Sequence, residues 1–332
     1  MIPQLAEDVP GQAPHMNGGN SNLEAPIYRW VDGHFEPAER LPLPGGEDAA
    51  FFRLGSEHYL ATASVRTGSG PYDLNVDSHI YRRQGNAWIL AQSIPTFAAK
   101  QWHPLTVDGR IFLALAQGVT VPGAQARHPR QSRILEWNGD RFVEFQTLEG
   151  MWGYGWADFR IGGEHFLAYA DHTSPSLLYR WTGRQFEPAQ SFAQQGGRAF
   201  RSFESDGAHW LAFANIGGQS VLYRWDSGQF RPHQVIGGEG GREFELIQTA
   251  TELYLVRICF IQGAPSAPKT ALLSQIYRWT EQAFVTVQEF TTYGGTDAAA
   301  FEADGQRFLV VTNSLTSDVR FRQDTVVYRL SL

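Results

Sequence analysis

Short apolar and aromatic runs, five to seven residues long and bounded by Gly, Asp and Asn, follow one another along almost the whole chain. Runs of that length and setting suit β-strands far better than helices. No segment shows a convincing 3.6-residue apolar period, so the pattern predicts an all-β chain. The runs also repeat. IYRWVDGHFEP from Ile27 returns as IYRRQGNAWIL from Ile80, ILEWNGDRFVEF from Ile134, LYRWTGRQFEPAQ from Leu178, LYRWDSGQFRPHQ from Leu222 and IYRWTEQAFVTVQ from Ile276, with a truncated VYRLSL from Val327. Aligned on Tyr28, Tyr81, Leu135, Tyr179, Tyr223, Tyr277 and Tyr328, the copies are 53, 54, 44, 44, 54 and 51 residues apart. A base period of 44 residues with insertions is that of a propeller or array, not of a Rossmann fold or a parallel barrel.

A second phrase lies between copies of the first: HYLATAS at His58, IFLALAQ at Ile111, HFLAYAD at His165, HWLAFAN at His209, LYLVRIC at Leu253 and RFLVVTN at Arg307. Each module then reads as four short strands: a first run after Gly-Gly, a tight turn, the FLA strand, a variable loop, the YRW strand and an F-x-x-x-Q strand. Repeated radially, four antiparallel strands make a β-propeller blade, apolar on both faces because it packs on two neighbours. Trp30, Trp137, Trp181, Trp225 and Trp279 share one repeat position and are expected in blade cores, with Trp88 and Trp210 in two other repeat positions.

Six first strands, six FLA strands, seven YRW strands and six F-x-x-x-Q strands make 25, one more than six blades need. Six blades are favoured and seven, with an incomplete blade at the seam, is the alternative. On the six-blade reading the strand around 35–40 completes the blade of residues 295–332, and the strand at 27–31 is surplus or competes for that edge. Residues 26–332 are then one propeller domain, closed by N- and C-terminal strands. Residues 1–25, rich in Pro, Gly, Asn and Gln, are expected as a flexible arm.

Composition changes the picture by exclusion. With 42% hydrophobic and 18% charged residues, and 22 Phe, 12 Tyr and 10 Trp, the chain is no disordered segment. A formal charge of −7 without any Lys/Arg block argues against a nucleic-acid partner. Cys259 alone excludes an internal disulfide framework and a cysteine-based zinc site. No stretch approaches 18 apolar residues, so no membrane span is expected. The N-terminus shows no basic start followed by an apolar run, and with the lone cysteine this points to the cytoplasm, a secreted mature form being the alternative.

The phrase YRW-x-G-x-F-x-x-x-Q, with an upstream FLA strand, resembles the EAR repeat, also called EPTP, of the leucine-rich glioma-inactivated proteins. Tyr179, Arg180, Trp181, Gly183, Phe186 and Gln190 carry the match, with Phe166, Leu167, Ala168 and Ala170 upstream. The resemblance covers residues 26–332 and implies a β-propeller, usually of seven blades, that serves as a protein-interaction module. It also implies an acidic central channel able to hold calcium.

Candidate chemistry sits at the channel and on the loops. Aligning the first strands gives Asp48, Gln101, Gly155, Ala199, Glu243 and Asp297 at one position, and Ala50, His103, Ala157, Arg201, Glu245 and Ala299 two residues on. Asp48, Asp297 and Glu243 could coordinate Ca2+ through carboxylate oxygens, or stand as solvated or Arg-paired charges. GMWGYGW at Gly150–Trp156 replaces the usual entry with crowded aromatics. Trp152, Tyr154, Trp156 and Trp102 could stack on a sugar or an apolar ligand, or pack between blades. Loops Ser64–Ser78, Gln117–Ser132, Phe260–Gln275 and Asn313–Asp324 occupy the same place in their modules and should rise from one face as a cleft with a gap. The chain contains no HExxH, G-x-S-x-G or P-loop. His103, Arg201 and Glu243 are the candidates for acid–base catalysis. Three readings follow: a propeller that binds a protein or glycan, an enzyme with a polar pocket at the channel mouth, and a structural oligomer subunit.

Overall fold

The computed structural model describes residues 1–331 and contains no helix in them. Five four-stranded antiparallel sheets run consecutively along the chain: blade I over residues 46–97, II over 101–147, III over 153–192, IV over 197–237 and V over 241–293. Blade VI, residues 295–330, has three strands, and a separate two-stranded hairpin pairs Glu24–Val31 with His34–Pro42. The first strands of successive blades, I to VI, lie side by side about one axis. The chain is a six-bladed β-propeller.

The FLA strand is the second of each blade and is buried on both faces, which explains why it lacks apolar–polar alternation. In blade III, Phe166, Leu167, Ala168, Tyr169 and Ala170 are all buried; the alanines let the next blade approach. The apolar clusters accordingly lie between blades, as where Val107 and Phe112 of blade II meet Trp181 and Phe186 of blade III.

Two polar devices tie the blades together. The glutamine of F-x-x-x-Q is a latch. Gln190 donates to the carbonyl of Phe230 in the next blade (2.7 Å) and accepts from the Phe230 N–H (2.8 Å). Gln92 makes the same pair of bonds to Phe142, Gln146 to Phe186 and Gln234 to Phe284. The second device uses the hairpin turn between first and second strands. Asp108, Asp206 and Asp304 hold positive φ there, each followed by a positive-φ glycine, as a tight turn between twisted strands requires. Their carboxylates accept from the indole N–H of Trp181 (2.6 Å), Trp279 (3.2 Å) and Trp30 (3.0 Å).

Those bonds place the seam. Trp30 packs on Phe301 and Phe308 of blade VI just as Trp279 packs on Phe203 and Trp210 of blade IV. Glu39 accepts from the Trp88 N–H of blade I, in the glutamine latch position. The N-terminal hairpin therefore stands where the outer strands of a further sector would, between blades VI and I. It does not add a fourth strand to blade VI, contrary to the closure expected from the sequence, because its aromatic faces are matched to the side of that blade and not to its edge. Residues 1–25, expected as a flexible arm, lie against the domain. Ile2 N–H donates to the Pro26 carbonyl and Gly46 N–H to that of Gln4; Arg66 reaches the carbonyls of Asn17 and Gly18 (both 2.6 Å); Asp8 meets Arg322 at 3.0 Å.

Candidate functional site

The first strands begin at the face that carries the long loops, so their opening residues line the channel mouth. Five of the six first strands start with a bulge, where one residue after the glycine has no partner on the second strand. A bulge adds a residue and re-aims side chains. The unpaired residues are Glu47, Tyr154, Arg198, Arg242 and Thr296; Lys100 precedes the unbulged strand of blade II. The ring read from the sequence, Asp48 to Asp297, is thus the second layer of the channel. Of the first layer the sequence offered only Tyr154, as a stacking aromatic; the others were missed, because a period-two reading turns each of those residues away from the axis.

That first layer is cationic around a phenol. The guanidinium carbons of Arg198 and Arg242 lie 3.8 and 5.0 Å from the centre of the Tyr154 ring, and the Lys100 ammonium lies 5.8 Å away. Arg242 pairs with Glu47 of blade I. Burial pushes the Tyr154 hydroxyl up, but Arg198, Lys100 and Arg242 outweigh it and leave it below the usual phenol value. Burial lowers Lys100, and it lowers Arg198 to about 10. Burial, with Arg198 nearby, brings His172 down to about 4, so it adds no charge to the mouth at neutral pH.

The acidic layer follows. Burial first, then repulsion from Asp297, raises Asp48 to about 7 and Glu243 to about 8. Asp297 is raised least, to about 6, by burial and by Glu245. Each already accepts a backbone N–H: Asp48 from Trp102 (2.9 Å), Glu243 from Phe244 (2.9 Å) and Asp297 from Ala298 (2.7 Å). Calcium asks for six to eight converging oxygens. Among the described residues no group of three or more His, Cys, Asp or Glu is arranged to hold a metal ion, so the carboxylates as placed do not fit the calcium site that the resemblance implies.

The other sequence candidates separate. Trp102 and Trp156 are 2% and 4% exposed, the first donating to the Thr62 carbonyl and the second packed 4.4 Å from Tyr169. Neither offers a face to a ligand. Trp152 packs beneath the loops with Val65, Phe97 and Val119 and edge-on to His172 (4.8 Å), leaving Tyr154 as the aromatic at the mouth. His103 does not join Arg201 or Glu243. Its Nε2 bonds Asp158 (2.7 Å), which also holds His165 (2.9 Å), while Arg201 caps the Phe244 carbonyl and pairs with Glu245 (3.2 Å). Burial would raise Asp158, but the two histidines hold it well below the usual carboxylate range. These contacts brace neighbouring blades and assemble no acid–base group.

The four long loops rise around this mouth, with blades III and IV low. Arg127 of the second loop meets Asp73 of the first at 2.6 Å, and its N–H donates to Asn75 Oδ1 (2.6 Å). Thr270 of the third loop donates to the Thr316 carbonyl of the fourth (2.9 Å), and the N-terminal segment links the first and fourth through Arg66, Asp8 and Arg322.

A radial ring of antiparallel sheets with one loop-walled mouth defines a repeat-built β-propeller. Its repeats match the EPTP domain model over residues 141–182, 185–226 and 283–331, so the chain carries EPTP repeats in those stretches. It is 30% identical over 167 residues to the mouse thrombospondin-type laminin G domain and EAR repeat-containing protein, covering 49% of this chain and 24% of that protein. The human protein of the same name is 28% identical over 156 residues, 46% of this chain and 22% of that one. The chain thus spans about a quarter of the length of the curated relatives it matches. Among solved structures, a Pseudomonas aeruginosa periplasmic gluconolactonase superposes with a TM-score of 0.60 over 91% of this chain and 88% of that chain. At 17% identity that likeness is one of fold.

Proposed function

We propose that this chain is a recognition propeller that binds a protein or glycan across the face bearing its four long loops. The observation that carries this reading is the bracing of those loops: side chains tie first to second and third to fourth, so the walls are formed before a ligand arrives. Preorganised walls lower the ordering cost of binding. The EPTP repeat suits a protein-interaction role, and the exposed Val121 and Met151 offer apolar contact beside the mouth. Screening the full chain on glycan and extracellular-protein arrays should yield a binder. Val121→Lys with Met151→Lys should then weaken binding at least tenfold, while Arg184→Glu on the opposite face should not. Binding that survives the first pair and is lost with Arg184→Glu would place the site on the wrong face.

A further inference from the structure

We propose that the mouth of the channel is a binding site for a small oxyanion, a carboxylate or phosphate group on a small ligand, held by Lys100, Arg198 and Arg242 around Tyr154. The proposal deepens the reading of the loop-walled face as the binding face and rests on it.

The charge balance of the first layer carries the argument. It holds three cations and one carboxylate, and that carboxylate, Glu47, is taken by Arg242. Lys100 is 6% exposed, and its ammonium donates to the Ala98 carbonyl (3.0 Å) and, among the described residues, to no carboxylate. Arg198 is 7% exposed; it donates to the Gly197 carbonyl (3.1 Å), and its Nε–H has no partner among the described residues. Among the described residues no carboxylate oxygen lies within 4 Å of a side-chain nitrogen of either, the acidic layer below included; Glu47 acts on both, and Asp171 on Arg198, only from farther away. Buried cations without a counter-ion are costly and are expected to be paired. The Tyr154 ring offsets part of that cost through its face, and a bound anion would offset the rest.

Geometry supports the same assignment. Arg198 and Arg242 both lie within 5.0 Å of one ring, and Lys100 stands at 5.8 Å, so donors from blades II, IV and V surround one phenol. Planar guanidinium forks match carboxylate and phosphate oxygens. The Tyr154 hydroxyl makes no protein hydrogen bond among the described residues and is free to donate to the same oxygens. The mouth is reached past Glu47 and Arg242, whose side chains are 17% and 14% exposed. Their ion pair links blade V to blade I, which keeps the opening narrow and favours a small ligand or a terminal acidic group.

The test measures the melting temperature and calorimetric affinity of the full chain with glucuronate, glutamate and inorganic phosphate, against sodium chloride at equal ionic strength. One of these should raise Tm by about 2 °C at ten times its Kd. The carboxylate and phosphate arms tell the two sources apart. Arg198→Met should be as stable as the parent or more so without ligand, since it relieves a buried charge, and should bind at least tenfold more weakly. Arg198→Lys should recover part of the affinity and Tyr154→Phe should lose several-fold. A parent that responds to none of the three anions overturns the proposal, as does an Arg198→Met chain that binds normally. A response to a Glu-rich peptide alone would also overturn it, in favour of a protein ligand. The Val121 and Met151 variants should leave the anion response intact. Array binding that those variants leave unchanged therefore counts against the face alone, and a parent that binds on the array but responds to none of the three anions counts against the anion site alone.

Discussion

Replacing Gln190 with alanine removes one latch between blades III and IV. The side chain donates at 2.7 Å and accepts at 2.8 Å from the backbone of Phe230, a residue 2% exposed. Two neutral hydrogen bonds are lost, about 1 kcal/mol each, and the Phe230 N–H and carbonyl are left buried without partners, which adds roughly another 1 kcal/mol. The expected loss is about 3 kcal/mol, or about 4 °C in Tm for a chain of this length. Gln190→Glu keeps the acceptor but turns the donor into a second oxygen facing the carbonyl, so it should be no milder above the carboxylate pKa and milder below it. Gln288 is the internal control. It fills the same repeat position, but blade VI has no fourth strand for it to hold, and it is exposed without a partner among the described residues. Gln288→Ala should cost less than about 0.5 kcal/mol. Urea unfolding followed by tryptophan fluorescence gives both values. Equal costs at the two glutamines, or a cost below about 1 kcal/mol at Gln190, would refute the latch reasoning.

Further outcomes follow from the channel, the seam and the buried thiol. Asp48 titrates near 7 in the folded chain against 3.8 ordinarily, so the folded state holds the proton more tightly. Its contribution is neutral below about pH 4 and increasingly destabilising as the pH rises through 7. Asp48→Asn, which keeps an acceptor for the Trp102 N–H, should leave stability unchanged at pH 4. At pH 8 it should raise stability by about 2 kcal/mol, half the full ionisation cost because water in the channel screens the charge; an equal effect at both pH values would contradict this. Trp30→Ala should open the seam locally: amide exchange should quicken in residues 24–42 and 295–330 and stay unchanged in blades II to IV, whereas uniform quickening would mean the hairpin is not a separate wedge. Cys259 is 2% exposed and burial pushes its thiol up, so a disulfide reagent should label it only as fast as the chain unfolds globally.

The all-β class, the four-strand module and the propeller were legible because each is written locally and repeatedly. A blade must bury both faces, so aromatic and small apolar residues return at fixed places, and tight turns return with them. One repeated signal went unread. Ser78, Ser132, Ser176, Ser220 and Ser274 all stand two residues before the YRW phrase, fully buried, each accepting the N–H at the end of the preceding FLA strand. The mouth was beyond reach for a different reason. Lys100, Arg198 and Arg242 come from three blades and carry no common motif; only the bulges and the closure of the ring bring them to Tyr154. The partners of His103 and Arg201 and the standing of the N-terminal hairpin were equally undecidable, since each depends on which blades become neighbours. Sequence period determined the blades. The third dimension decided which side chains meet between them, because convergence at an axis is a property of the assembled ring and of no single repeat.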